Sequence, residues 1–292
     1  MTYDEFLRER VRPVTATRYL RTLQLFQDIH GVDGARSARY QQVQDYLGAL
    51  RAKGLGAAHI SVELAALKMY FKFLVKSGVR VDDPARHIFL KDQRAQPLQF
   101  QDLFTREELE PLLESTGRFA IYTWRNKLAI SFYIYQALTT GEVARLSVKD
   151  IDLDRGTVLI RASAKQCSRT LDLRANQVVF IERYVTFDRP SLLKSESDAL
   201  FLSKNGTAVA GEYFHYLIES CRELYPGRPL DPITIRQSVL VSLFREGKDV
   251  RDVQLFAGHH YASTTERYKP IDLSELSSAM ERFHPLSSAS PM

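Results

Sequence analysis

The chain has 292 residues, 45% of them apolar and 26% charged, with a formal net charge of +5 and a pI near 9.1. Apolar content this high excludes a disordered chain, and the length suits two domains, each able to bury its own core. The longest apolar runs, such as residues 128–138, are roughly half of what a membrane span needs, and residues 1–10 are mixed in charge rather than a basic-then-apolar leader. The two cysteines, Cys167 and Cys221, fit neither a disulfide framework nor a metal-ligand spacing. The expectation is a cytoplasmic protein without metal or membrane contact.

The charge is unevenly placed. Residues 1–97 hold 16 Lys and Arg against 10 Asp and Glu, whereas the remainder holds 24 against 25. The basic excess, which points to a polyanion as partner, therefore belongs to the N-terminal third. That third reads as helical throughout. Tyr19, Leu23, Phe26 and Ile29 recur at helical spacing before Gly31 and Gly34 as breakers. Val43, Tyr46, Leu47 and Leu50 form a second stripe, stopped at Lys53-Gly54, and Leu64, Leu67, Phe71 and Leu74 a third, stopped at Ser77-Gly78. Lys68, Lys72 and Lys76 line the third helix at i, i+4 and i+8 without acids on their own face. Such a ribbon is usually just a solvated flank, but unrelieved like charge favours a phosphate-contacting surface. A polar run closed by Pro97 marks the junction. The expected division is a helical DNA-binding domain over 1–92, a linker over 93–104 and a second domain over 105–292.

Thr105 with Glu108 makes a capping box, so a helix starts near Arg106. Residues 128–138 read as a buried helix, interrupted at Thr139-Thr140-Gly141 and resumed by Glu142, Val143 and Leu146. A turn at Asp154-Arg155-Gly156 precedes the β-branched run 157–160, and residues 169–173 alternate, which predicts a small antiparallel sheet. Helices follow over 178–187, 212–221, 237–244 and 249–256, the last capped by Asp249. The fold class is mainly α, with one small sheet in the second domain.

Phosphate loops, dinucleotide fingerprints, His-Glu-x-x-His and Gly-x-Ser-x-Gly are absent. The informative stretch runs from Ile235-Arg236-Gln237-Ser238 through Leu255-Phe256-Ala257-Gly258-His259-His260 to Ser263-Thr264-Thr265-Glu266-Arg267-Tyr268. Singly, such residues are ordinary packing, capping or surface groups; their joint order and spacing carry the signal. The stretch resembles the C-terminal half of tyrosine recombinases, the phage-integrase family, and in particular its short Xer-type members. Arg236, Gly258, His259, Ser263, Thr264, Thr265 and Tyr268 occupy matching places. Upstream, Glu142, Leu146 and Asp150-Ile151 match further family positions, Lys165 resembles the family's hairpin lysine, and Arg169 follows it by four residues. The N-terminal third is similar to the family's helical SAM-like core-binding domain. Two positions depart from the pattern: Thr139 stands where the family has its first arginine, and Ile233 where it has its first histidine.

The resemblance implies a site-specific recombinase that cuts and rejoins double-stranded DNA through a 3′-phosphotyrosine, with a free 5′-hydroxyl and no cofactor. Tyr268 would be the nucleophile, Arg236 the phosphate clamp, Lys165 the proton donor to the leaving oxygen, and His259 a phosphate or proton-transfer partner. Glu142 and Gly258 would support them, while Lys68, Lys72, Lys76 and Arg169 would contact DNA. A neutral hydroxyl on Thr139, or charge from Arg125, Arg145 or Arg267, is the expected substitute for the missing arginine. The alternative is a catalytically impaired DNA-binding or accessory protein acting with a paralogous subunit. Asp272 with Glu275 resembles a capping box, and Leu273, Leu276, Met280 and Phe283 share one face, so residues 272–284 read as a helix. The Xer-type resemblance makes that helix an exchange helix joining four protomers on DNA.

Overall fold

The computed structural model describes residues 1–90, 100–114 and 120–270, and the chain divides into two units, Met1–Pro97 and Leu98–Met292. In the first unit, Thr2 opens α1 (Tyr3–Arg8) by accepting from the Glu5 amide, while Glu5 accepts in return from the Thr2 amide at 2.7 Å. Four more helices follow: α2 (Pro13–His30), α3 (Val32–Ser37), α4 (Tyr40–Ala52) and α5 (Ala57–Lys76). Leu23, Phe26, Val43, Tyr46, Leu47, Leu64, Leu67, Phe71 and Leu74 share one core. Phe26 sits at its centre, edge-on to Tyr46 at 5.2 Å and to Phe71 at 6.4 Å.

Two details differ from the sequence expectation. Ile29 is exposed, because His30 continues the seam of α2 with its ring 4.6 Å from that of Phe26. Gly34 lies inside α3 rather than breaking a helix; the break is made at Gly31, whose φ of 72° only glycine adopts freely. On α5, Lys72 and Lys76 are exposed, whereas the Lys68 ammonium lies 4.5 Å over the Phe89 ring and reaches the Arg86 carbonyl.

The second unit is built round α7 (Thr123–Gln136), whose Leu128, Ala129, Ile130, Phe132, Tyr133 and Ile134 are all fully buried. A stretch buried on every side must be surrounded, and these residues of α7 belong to the larger core. Upstream, the Thr105 capping box starts the single-turn α6 (Arg106–Leu109). Leu103 and Phe104, expected in the linker, are core residues instead, and the Phe104 amide donates to Ser238 Oγ at 2.9 Å. Phe100–Asp102 form a short helical turn, and residues 93–99 of that linker lie outside the described residues.

After α7 comes α8 (Thr140–Arg145), then a three-stranded antiparallel sheet of β1 (Ile151–Asp152), β2 (Thr157–Ile160) and β3 (Arg169–Asp172) in the order β1-β2-β3. Val158 pairs with Leu171 and Ile160 with Arg169, so these four side chains face inward while Leu159 and Thr170 face out. Asp150 anchors the base of the hairpin by accepting from the Ser147 amide at 2.8 Å and from Arg161 Nε at 2.7 Å.

Beyond the sheet lie α9 (Ala175–Arg183), a wide turn at Tyr184–Asp188, α10 (Arg189–Leu192), α11 (Gly211–Glu219), α12 (Pro232–Arg245), α13 (Val250–Ala257) and α14 (Ala262–Glu266). The start of α12 falls five residues before the expected Gln237, because Asp231 accepts from the Thr234 amide and Pro232 fills the first helical position. The protein is thus mainly helical with one small sheet. No described helix is long and apolar enough to cross a membrane. The expected exchange helix, 272–284, lies outside the described residues.

Candidate active site

Within the second unit the start of α8, β3 and α12 converge on one buried carboxylate. Thr139 caps α8: its Oγ1 accepts from the Glu142 amide at 3.3 Å, and its own amide and hydroxyl donate to Glu142 Oε2 at 2.8 and 2.9 Å. That box turns Glu142 back over the helix start, where its side chain is 1% exposed. Glu142 Oε1 accepts from Arg169 Nη1 at 2.6 Å, and its Oε2 lies 3.9 Å from Arg236 Nη1. Burial alone would raise the Glu142 carboxyl, but the hydrogen bond and charge of Arg169, helped by the Thr139 amide and Arg236, hold it below the usual carboxylate range. Glu142 is therefore ionised at neutral pH.

Arg236 arrives from the second turn of α12, nine-tenths buried. Its Nη1 donates to the Ala137 carbonyl, and its Nη2 donates to the Ala257 carbonyl at 2.7 Å. Ala137 ends α7 in the left-handed region with φ 50°. Burial pushes the Arg236 guanidinium below its ordinary pKa, with Glu142 opposing the shift and Arg169 adding to it.

Arg236 Nη2 also lies 3.1 Å from His259 Nε2. A guanidinium only donates, so Nε2 is the acceptor and the ring proton resides on Nδ1, which donates to Thr265 Oγ1 at 2.9 Å. Burial, then the charges of Arg236 and Arg169, bring the His259 pKa down to about 4. The imidazole is neutral near pH 7. Its backbone is held by Gln254, whose Nε2 donates to the carbonyls of His259 and His260. The Tyr268 ring stacks on the imidazole, 5.9 Å between centroids and 21° between planes.

Gly258 ends α13 with φ 71°, and the Arg169 guanidinium crosses directly above it. A Cβ there would come within 2.5 Å of Arg169 Nη1 and 3.1 Å of the Cys167 carbonyl, so both backbone and neighbour require glycine. The hairpin tip is tied down beside it: the Cys167 amide donates to the Gly258 carbonyl at 2.8 Å, and Gln166 bridges to His259.

The structure thus brings together Glu142, Arg169, Arg236, Gly258, His259 and Tyr268, with Thr139 at the edge. Lys165 lies on the same hairpin, but its side chain is exposed. Ile233 is 67% exposed on the first turn of α12 and does not enter the cluster. The expected substitutes for the missing arginine are placed elsewhere. Thr139 commits its hydroxyl to Glu142, while Arg145 and Arg267 are exposed. Arg125 is buried and occupied by the Leu202 carbonyl, Asn126 and Tyr213. Arg169, expected to contact DNA, is 9% exposed and lies inside the cluster. It shares the inward face of β3 with Leu171, whereas Thr170 points out. Gln254 carried no sequence signal, and Thr265 only its place in the motif.

One pH dependence follows. In a histidine titration read by NMR, His259 should protonate near about pH 4, well below the ordinary value of about 6.5. Because the folded value is depressed, its contribution to stability is complete above about pH 6.5 and is lost as pH falls toward about 4. His259→Gln should flatten that part of the stability profile. An ordinary histidine midpoint would contradict the buried, arginine-flanked setting.

Residues 102–274 match the Phage integrase family, and residues 2–78 match the phage integrase N-terminal SAM-like domain. The chain is 25% identical over 274 residues to the tyrosine recombinase XerC of Lactobacillus delbrueckii subsp. bulgaricus, covering 90% of each chain. It is 27% identical over 256 residues to the tyrosine recombinase XerD of Halalkalibacterium halodurans, covering 87% of this chain and 84% of that one. Among solved structures, the Tn1549 transposon integrase in complex with transposon right end DNA shares the fold, with a TM-score of 0.68 at 18% identity over 97% of this chain and 99% of that one. The capped Glu142, the buried Arg236 and the His259–Tyr268 stack therefore sit in a chain that belongs to the phage integrase family, with Xer tyrosine recombinases among its homologues.

Proposed function

We propose that the protein is a site-specific DNA recombinase that cuts and rejoins duplex DNA through a 3′-phosphotyrosine, in the cytoplasm, on behalf of a mobile genetic element. The observation that carries this reading is the stack of Tyr268 on His259, whose Nε2 in turn accepts from Arg236. A hydroxyl nucleophile, a neutral base and a phosphate-binding cation thereby share one buried cluster.

In this mechanism Tyr268 Oη attacks phosphorus, the bond from phosphorus to the 5′-oxygen breaks, and the 5′-hydroxyl later reverses the reaction on a partner duplex. Arg236 binds a non-bridging oxygen as charge develops there, which a guanidinium does bidentately and without losing its proton. Turning toward phosphate releases Arg236 from His259 Nε2. The freed lone pair then accepts the Tyr268 proton, and the phosphate's negative charge offsets the two guanidiniums that depress the imidazole pKa. Lys165, exposed on its hairpin, reaches the leaving 5′-oxygen as proton donor. The basic ribbon of Lys72 and Lys76, with Lys68 at its end, contacts DNA phosphates from the N-terminal unit.

The test is covalent trapping. Incubation with a pool of randomised duplexes bearing a single nick should yield an adduct that survives a denaturing gel, and the trapped DNA identifies the site. Tyr268→Phe should bind the recovered duplex and give no adduct. An adduct from Tyr268→Phe would overturn the assignment. The substitutions at Thr139 and Ile233 favour one other reading, an accessory subunit, which tight DNA binding without adduct would support, whether alone or mixed with a paralogous recombinase.

The sequence of residues 272–284 supports assembly of a tetramer on DNA through that segment. Truncation before Asp272 should leave the unfolding transition largely intact and abolish tetramers in analytical ultracentrifugation on the recovered duplex. Normal tetramers from the truncated chain would refute it.

A further inference from the structure

The cluster round Glu142 carries more positive charge than it neutralises. Arg169 and Arg236 are both cationic, Glu142 is the single carboxylate between them, and His259 is neutral. The Arg169 side chain is 6% exposed, yet only its Nη1 is satisfied, by Glu142. Its Nε and Nη2 find no acceptor among the described residues. These two atoms form the side-on edge of the guanidinium, whose parallel N–H groups match two oxygens of one phosphate. Buried polar groups are nearly always paired, and a charged fork left open is costly unless an anion fills it.

We propose that Arg169 is a catalytic residue: its Nε and Nη2 donate to the oxygens of the scissile phosphate, supplying the cation that position 139 lacks. The proposal rests on the recombinase reading above. Thr139 cannot serve, because its hydroxyl is bound to Glu142, but the carboxylate it positions holds Arg169 by the opposite edge. The cation thus enters from β3 instead of from the start of α8. The strand register, Ile160 opposite Arg169, fixes its direction, and Gly258 leaves the space it occupies. Arg169 forms no covalent bond. It takes up charge on the non-bridging oxygen while the bond from Tyr268 Oη to phosphorus forms and that to the 5′-oxygen breaks.

The experiment measures adduct formation on the nicked duplex recovered with the wild-type chain, made once with an ordinary scissile phosphate and once with a methylphosphonate there. The methylphosphonate replaces one non-bridging oxygen by a methyl group and removes the negative charge. On phosphate, Arg169→Ala should be slower by roughly 10²–10³-fold, the usual cost of one preorganised donor. On methylphosphonate, the same variant should return to the wild-type rate. Arg169→Lys keeps a partner for Glu142, which protects folding, but loses the fork, and it should show the same rescue. Undiminished rates on phosphate would overturn the proposal. So would a defect in both variants that persists on methylphosphonate, since that assigns Arg169 only the holding of Glu142. Absence of any adduct from the wild-type chain would instead refute the recombinase reading, and is seen before any substitution is made.

Discussion

The site depends on one ionised carboxylate kept out of water. Glu142 is 1% exposed, capped from Thr139, paired with Arg169 and close to Arg236. Burying a carboxylate is tolerable only if its partners are many and well placed, and here two amide or hydroxyl donors and two guanidiniums supply them. Removing it would leave two like charges facing each other in a low dielectric. Each neighbouring feature follows from that requirement: the capping box at Thr139, the inward turn of Arg169 on β3, and the glycine at 258 that lets the guanidinium pass.

The same charge arrangement sets the state of His259. Burial first, and then two nearby guanidiniums, make a further positive charge expensive, so the imidazole stays neutral and accepts from Arg236 through Nε2. A neutral ring stacked on Tyr268 is a possible acceptor for the phenolic proton and a poor donor to phosphate. In the proposed reaction the histidine serves proton transfer and the guanidiniums serve charge neutralisation. An incoming phosphodiester would serve both, balancing the excess charge and raising the basicity of the ring.

Much of this was legible in the sequence. Arg236, Gly258, His259 and Tyr268 are separated by fixed intervals within helices and tight turns, so a linear motif captured their grouping. The hairpin was visible in the turn at Asp154-Arg155-Gly156 and in the alternation from Arg169 to Leu173. Harder to see was what that alternation meant for a charged residue. Arginine on a hairpin reads as solvent-facing, yet Arg169 shares a face with Leu171 and Ile160, and only the distant Glu142 makes its burial bearable. The start of α12 was misplaced because Asp231-Pro232, a cap followed by a first-turn proline, was not read as a helix start. Contacts such as Gln254 to the His259 carbonyl depend on a turn that brings residue 254 beneath residue 259, and no spacing rule marks them.

The central claim is that a phosphodiester is held between two guanidiniums contributed by β3 and α12. A structure of the Tyr268→Phe chain bound to its recovered duplex tests it most directly. Arg169 Nε and Nη2 and the Arg236 guanidinium should lie within hydrogen-bond distance of the scissile phosphate, with Glu142 still on Arg169 Nη1. A phosphate contacted by Arg236 alone, with the Arg169 fork still empty or turned to a protein carbonyl, would contradict it.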